Sequence, residues 1–187
     1  EVDQTHLVLG CRAFPLSDVR RYALEVLCDI LGGGMSSRLF QKVREELGAA
    51  YYIRAEAELF TDHGYCGVAS GVEHSKLPIV VSAILAEMKQ LTAAAVGASE
   101  LTRAKNHLVG KLILGLEASD ALASFYGGQE VLGQPLIAPA ELISHIEKVT
   151  ADEIWSVARA IFRDENLNLA LIGPTKDGQV LEQLLHF

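Results

Sequence analysis

The sequence predicts an α+β fold: a four-stranded, mostly antiparallel sheet covered by helices on one face, with a split βαβ core and a helical insertion over about 98–162. Three observations predict it. β-rich stretches lie near the start, in the middle and near the end of the chain. The order up to residue 96 reads strand, helix, helix, strand, strand, helix. A long helical run, 99 to 161, then precedes the last strand. Half of the 187 residues are hydrophobic, enough to fill the core of one domain over 1–187.

The elements follow in order. Thr5 to Cys11 (THLVLGC) is β-rich, and Pro15-Leu16-Ser17 supplies a turn with Ser17 as a candidate N-cap. Val19, Ala23, Val26, Leu27 and Ile30 recur at helical spacing, and Gly32 is expected to stop that helix in the left-handed conformation. Gly32, Gly33 and Gly34 then read as a flexible joint. Ser36 or Ser37 is placed to cap a shorter helix with Leu39, Phe40, Val43 and Leu47 on one stripe, ended by Gly48.

Beyond it, Ile53, Ala55, Ala57 and Leu59 alternate with Arg54, Glu56 and Glu58, the period-2 pattern of a strand with one covered face. Thr61 to Gly64 turns the chain into a hairpin partner, Tyr65 to Val72. From Ser75, the residues Leu77, Val80, Val81, Ile84, Leu85, Met88 and Leu91 make one face of a long helix that ends at Val96-Gly97-Ala98. Helices are expected over 99–116, 119–132, 139–149 and 151–161. The last opens on a Thr150/Glu153 capping box, and Pro139 suits the first turn of the one before. A strand from Leu167 to Gly173 and a short helix from Gly178 to Leu185 close the chain.

Composition excludes several classes of function. The net charge is −8 and the 16 Lys and Arg are scattered, so phosphate-backbone binding has little electrostatic support and nucleic acid is not an expected partner. No apolar run approaches the ~20 residues of a membrane-spanning helix, so no membrane partner is expected. Cys11, Cys28 and Cys66 are odd in number and far apart in sequence; they read as small buried hydrophobes in a reducing compartment. The chain opens at Glu1 without an initiator Met, which suggests a piece of something longer.

A zinc peptidase helix needs two His four residues apart beside a Glu, and the six His, at 6, 63, 74, 107, 145 and 186, have no such spacing. The segment around Ser36 lacks the second glycine of a nucleophile elbow, and no Gly-Lys-Ser/Thr follows the glycines as a phosphate loop requires. What remains is a polar pair. If Gly48 ends a helix, Arg44 lies in its last turn and Tyr51 opens the next strand, so both can converge on one spot. A guanidinium and a phenol are donors suited to a peptide carboxylate, a carbonyl or a developing oxyanion. The alternative, that Arg44 supports the helix C-terminus while Tyr51 is a half-buried strand aromatic, is equally compatible with the spacing.

The runs LGGGMSSRLFQ (31–41) and VREELGAAY (43–51) closely resemble the C-terminal, non-zinc half of the pitrilysin-type zinc peptidases, the group that includes mitochondrial processing peptidase. Agreement continues in ELTRAKN (100–106), LEAS (116–119), VTADEI (149–154) and LALIGP (169–174). The resemblance implies a processing-peptidase-like metallohydrolase fold in which two α+β halves close around an extended peptide. It implies that zinc, the cofactor, is held by an N-terminal domain on a His-x-x-Glu-His motif, and that Arg44 and Tyr51 act as catalytic ligands of substrate and tetrahedral intermediate. Gly32, Gly33, Gly34 and Ser36 join them as expected substrate-binding residues, with no metal bound by this chain.

The expected function is thus the substrate-binding domain of a zinc metalloendopeptidase, inactive alone. Its expected partners are the zinc-bearing domain, a peptide substrate and a second full-length chain in a dimer. A bacterial cytoplasmic location is expected, with the mitochondrial matrix as the other option. The glycine run is shorter than that of the processing peptidase α subunit, so presequence recognition is not expected. The alternative is a non-catalytic structural or partner subunit, as in a processing-peptidase heterodimer or a respiratory-complex core assembly.

Overall fold

The structure is a computed structural model that describes residues 4–174 and 178–187. Strands β1 (Thr5–Ala13), β2 (Ala50–Leu59), β3 (Gly64–Val72) and β4 (Leu167–Ile172) form one sheet in the order β2-β3-β1-β4. Every neighbouring pair is antiparallel. β1 and β2 therefore run parallel with β3 between them, which is the expected split βαβ unit.

The alternation read from sequence sets the two faces of the sheet. In β1, Thr5, Leu7, Leu9 and Cys11 are buried while His6, Val8 and Arg12 face solvent; in β2, Ile53 and Ala55 are buried while Arg54, Glu56 and Glu58 are exposed. Helices cover only the first face. Helix α1 (Arg21–Gly32) packs on β2 and β3, and α2 (Leu77–Ala93) buries all seven residues of its predicted stripe. Helices α3 (Ala98–Gly115), α4 (Ser119–Val131), α5 (Pro139–Lys148) and α6 (Ala151–Ile161) follow, and α7 (Gly178–Leu184) comes after β4. Both bonds of the Thr150/Glu153 capping box are made, and α6 buries Ile154, Val157, Ala158 and Ile161.

The three cysteines, remote in sequence, meet in the core. Cys11 lies opposite Cys66 across the β1–β3 ladder, and the Cys28 thiol donates to Cys66 Sγ at 2.8 Å. All three are buried free thiols, and burial pushes that of Cys11 up to about 12.

Several local expectations are corrected. Helix α1 begins at Arg21, two residues beyond Val19, whose side chain is 82% exposed and lies off the apolar stripe. Among the described residues Ser17 caps no helix; the Asp18 carboxylate accepts from the Arg20 backbone N–H at 2.8 Å instead. Gly32 does not adopt the left-handed conformation; it is the last helical residue, and Gly33 after it has φ −77°. Its lack of a side chain serves packing: a Cβ there would sit 2.5 Å from the Ala55 backbone nitrogen and 2.7 Å from its Cβ.

Neither serine caps the next turn. Ser37 Oγ donates back to the Gly34 carbonyl at 2.6 Å, and Ser36 makes no side-chain hydrogen bond among the described residues. The short helix over Phe40–Glu46 is wound as a π-helix, with Leu47 N–H bonded to the Lys42 carbonyl at 3.1 Å. Gly48 ends the segment as the sequence predicted, and it is here, at φ +53°, that the left-handed conformation occurs.

The Gly32–Ala55 contact generates a stability test. Gly32→Ala forces helix and strand apart and is expected to cost about 1–3 kcal/mol. Gly110→Ala, inside α3 with no atom near the added methyl, is expected to gain up to about 1 kcal/mol. Urea unfolding of the two variants measures both.

Candidate functional site

Arg44 stands in the last turn of the π-helical segment with its side chain in solvent, held with its guanidinium 4.9 Å from the centre of the Phe40 ring. The π winding leaves Val43 buried beneath it and Leu47 packed at the edge of the core. Gly48 then reverses the chain, and Lys76 Nζ clasps the turn by donating to the Gly48 carbonyl at 3.0 Å.

Tyr51 follows at the first residues of β2. Strict alternation back from buried Ile53 would turn Tyr51 inward. The ladder shifts here instead: Ala50 pairs with Val72 and Tyr52 with Gly71, so Tyr51 is an extra, unpaired residue in a β-bulge. Its ring is left 57% exposed. Tyr52 is the anchored neighbour, with its hydroxyl 3.1 Å from His6 Nδ1 and its ring over the bare backbone of Gly71. Tyr51 has no such tether. Arg44 and Tyr51 thus share the Gly48 corner, and among the described residues neither makes a hydrogen bond or ion pair with the other or with a third group.

The other candidate residues are distributed differently. Gly32 is buried against Ala55, Gly33 lies against the Asp29 carboxylate, and a Cβ on Gly34 would sit 3.3 Å from the His107 ring. Ser36 is exposed beside Met35. The glycine run is thus a packed junction on a polar clamp. In that clamp His107 Nδ1 lies 2.7 Å from Asp29 Oδ1, and Arg38 donates twice to the Glu100 carboxylate, at 2.8 Å each. Sequence reasoning missed Asp29 and His107 as a pair, because 78 residues separate them. The Phe40 perch of Arg44, four residues back along the helix, was visible in the spacing.

Two hollows flank these elements. One, about 530 Å³, lies between α1, α3, α5 and β2 and is lined by Glu25, Asp29, Arg54, Lys111 and the apolar Leu112 and Leu142. Burial pushes the Glu25 carboxyl up to about 7, against the pull of Arg21, and raises Asp29 against its bond to His107. The other, about 670 Å³, lies on the uncovered sheet face over Val8, Gly10, Arg12, Tyr65 and Ala170. Among the described residues, no group of three His, Cys, Asp or Glu side chains is arranged to hold a metal ion.

Residues 1–108 match the family model described as the peptidase M16 inactive domain. The chain belongs to that family. This M16 domain is 35% identical over 179 residues to an uncharacterized zinc protease of Streptomyces coelicolor, covering 96% of this chain and 39% of that protein. It is 33% identical to the uncharacterized zinc protease YmxG of Bacillus subtilis, covering 94% and 42%. The chain therefore spans about two fifths of the length of these relatives.

Among solved structures it superposes on an M16 inactive domain from Pseudomonas fluorescens with a TM-score of 0.82 at 18% identity, over 93% of this chain and 42% of that one. A protease from Helicobacter pylori gives 0.84 at 20% identity, over 92% and 42%. A chain of Candida albicans complex III gives 0.86 at 15% identity, over 100% and 47%. At such identities these three speak for the fold alone, and they agree on it.

The hollow beside α1 makes the stability of this M16 domain depend on pH. An unfolded Glu ionises near 4.5, whereas Glu25 in the folded chain keeps its proton to about 7. Folding takes up a proton between these values, so this contribution is fully present below pH 4.5 and is lost as pH rises through 7. Glu25→Gln cannot ionise. It is expected to match the parent at pH 4.5 and to exceed it by on the order of 2 kcal/mol at pH 8 in denaturant titrations.

Proposed function

We propose that this M16 domain is the substrate-binding part of a zinc metalloendopeptidase acting on peptides or unfolded polypeptides, with Arg44 and Tyr51 as its contribution to the active site. One observation carries the reading. A cation and a phenol, one perched on Phe40 and the other thrown out of its ladder by a bulge, are both in solvent at one corner without an internal partner among the described residues. Neither donor is spent on an internal bond, so both are available to a ligand's acceptor atoms.

The chemistry follows from the donors. A peptide carbonyl under attack gathers negative charge on oxygen. A guanidinium and a phenolic O–H aimed at that position stabilise the transition state more than the ground state. Before attack, the same guanidinium can hold the extended peptide by a backbone carbonyl or a carboxylate. In this reading zinc belongs to a portion of the enzyme outside this chain, and the relatives named zinc proteases, more than twice as long as the matched region, support that division. The proposed partners are that zinc-bearing portion, the peptide and a second full-length chain.

Kinetics of the full-length enzyme test the assignment. Arg44→Ala is expected to lower kcat/KM on a peptide about 100-fold and Tyr51→Phe about 10-fold. The melting temperature should stay unchanged, because both side chains are exposed. Variants that remain within about twofold of the parent would remove both residues from the mechanism.

A further inference from the structure

Apolar burial stops abruptly along α3. Up to Leu108 and Val109 the helix packs on the core, but from Ile113 to Leu136 no residue is buried. This stretch is not polar. It carries Ile113, Leu114, Leu122, Tyr126, Leu132 and Leu136, all on the exposed side, with Leu114 73% exposed. Helix α4 buries none of its 13 residues, and its apolar side chains are spread around the axis rather than confined to one stripe. A helix of that kind is normally enclosed by protein, because alone in water it has too little to hold it together.

The arm is nevertheless built to hold a shape. Gln129 fastens the loop after α4: its side-chain carbonyl accepts from Ile137 N–H at 2.8 Å, and its amide donates to the Ile137 and Phe125 carbonyls at 3.3 Å. Gly133, at φ +61°, supplies the left-handed stop. At the base of the arm opens the 530 Å³ hollow between α3 and α5, so ridge and groove form one continuous surface. A contiguous, ordered apolar surface rimmed by polar residues marks an interface.

We propose that the α3–α4 arm and the groove at its base are the docking surface for the portion of the polypeptide that the longer M16 relatives carry beyond the matched region. The relatives decide between occupants. The matched part fills only 39–42% of their length, so more than half of each of those chains lies outside it and is available as a neighbour in the same polypeptide. An apolar face suits a permanent neighbour in the same polypeptide better than a transient one. The inference rests on the reading that a zinc-bearing portion completes this chain.

The test uses the full-length polypeptide with a specific protease site placed before residue 1. After cleavage the two pieces are expected to co-elute in gel filtration. Leu114→Asp combined with Tyr126→Asp should weaken their association at least about tenfold and leave the circular dichroism of the 187-residue piece unchanged. Val19→Asp, at a still more exposed apolar residue off the arm, should have no effect. Amide exchange over 113–136 should be slower in the intact polypeptide than in the separated piece.

Pieces that part without any substitution, or that stay together with the arm charged, would overturn the proposal. So would an arm whose charges split a dimer of full-length chains while the pieces remain joined. Peptide hydrolysis is read separately: a polypeptide inert towards peptides whose pieces still part when the arm is charged refutes the catalytic reading and keeps the docking surface.

Discussion

Helix α1 is the element on which the remaining structure depends, because it is enclosed by the sheet on one side and by α3, α5 and α6 on the others. Leu24, Val26, Leu27 and Leu31 are fully buried, each representing roughly 1.5–3 kcal/mol of apolar transfer free energy. Its end lies close against β2, where Gly32 meets Ala55 with no room for a methyl on the glycine. That contact sets how near helix and strand lie. It also sets the corner from which the chain departs towards Arg44 and Tyr51.

From that corner the polar clamps keep the departure in place. Asp29 and His107 tie the end of α1 to α3, and Arg38 and Glu100 tie the following turn to the start of α3. Leu39 and Val43 plug the π-helical segment into the core, and Lys76 clasps the Gly48 turn. The two solvent-facing donors are therefore carried on supports that are themselves anchored. Such anchoring is what a binding or catalytic group requires, since a misplacement of about 1 Å forfeits much of its effect.

The molecule is unevenly finished. Between the sheet and α1, α2 and α6, apolar side chains are packed with no buried side-chain nitrogen or oxygen left unpaired among the described residues. On the far side, the α3–α4 arm presents an equally apolar sequence to solvent, and the second sheet face is bare. No single helix among the described residues is long and apolar enough to cross a membrane. A core completed on one side and interrupted on the other fits a chain that fills about two fifths of its relatives' length.

Local periodicity and capping chemistry by themselves determined most elements. The seven buried residues of α2, the alternation of β2, the Thr150/Glu153 box and the helix stop at Gly48 are all consequences of backbone geometry acting within a few residues, and they stand in the structure as the sequence implies. The position of Arg44 and Tyr51 on either side of Gly48 was legible for the same reason. Contacts between distant segments decided the rest. The meeting of three cysteines, the Asp29–His107 pair, the packing role of Gly32 and the bulge at Tyr51 each depend on which strand lies beside which helix. No spacing along the chain encodes that choice, because it is made by the summed burial of side chains tens of residues apart.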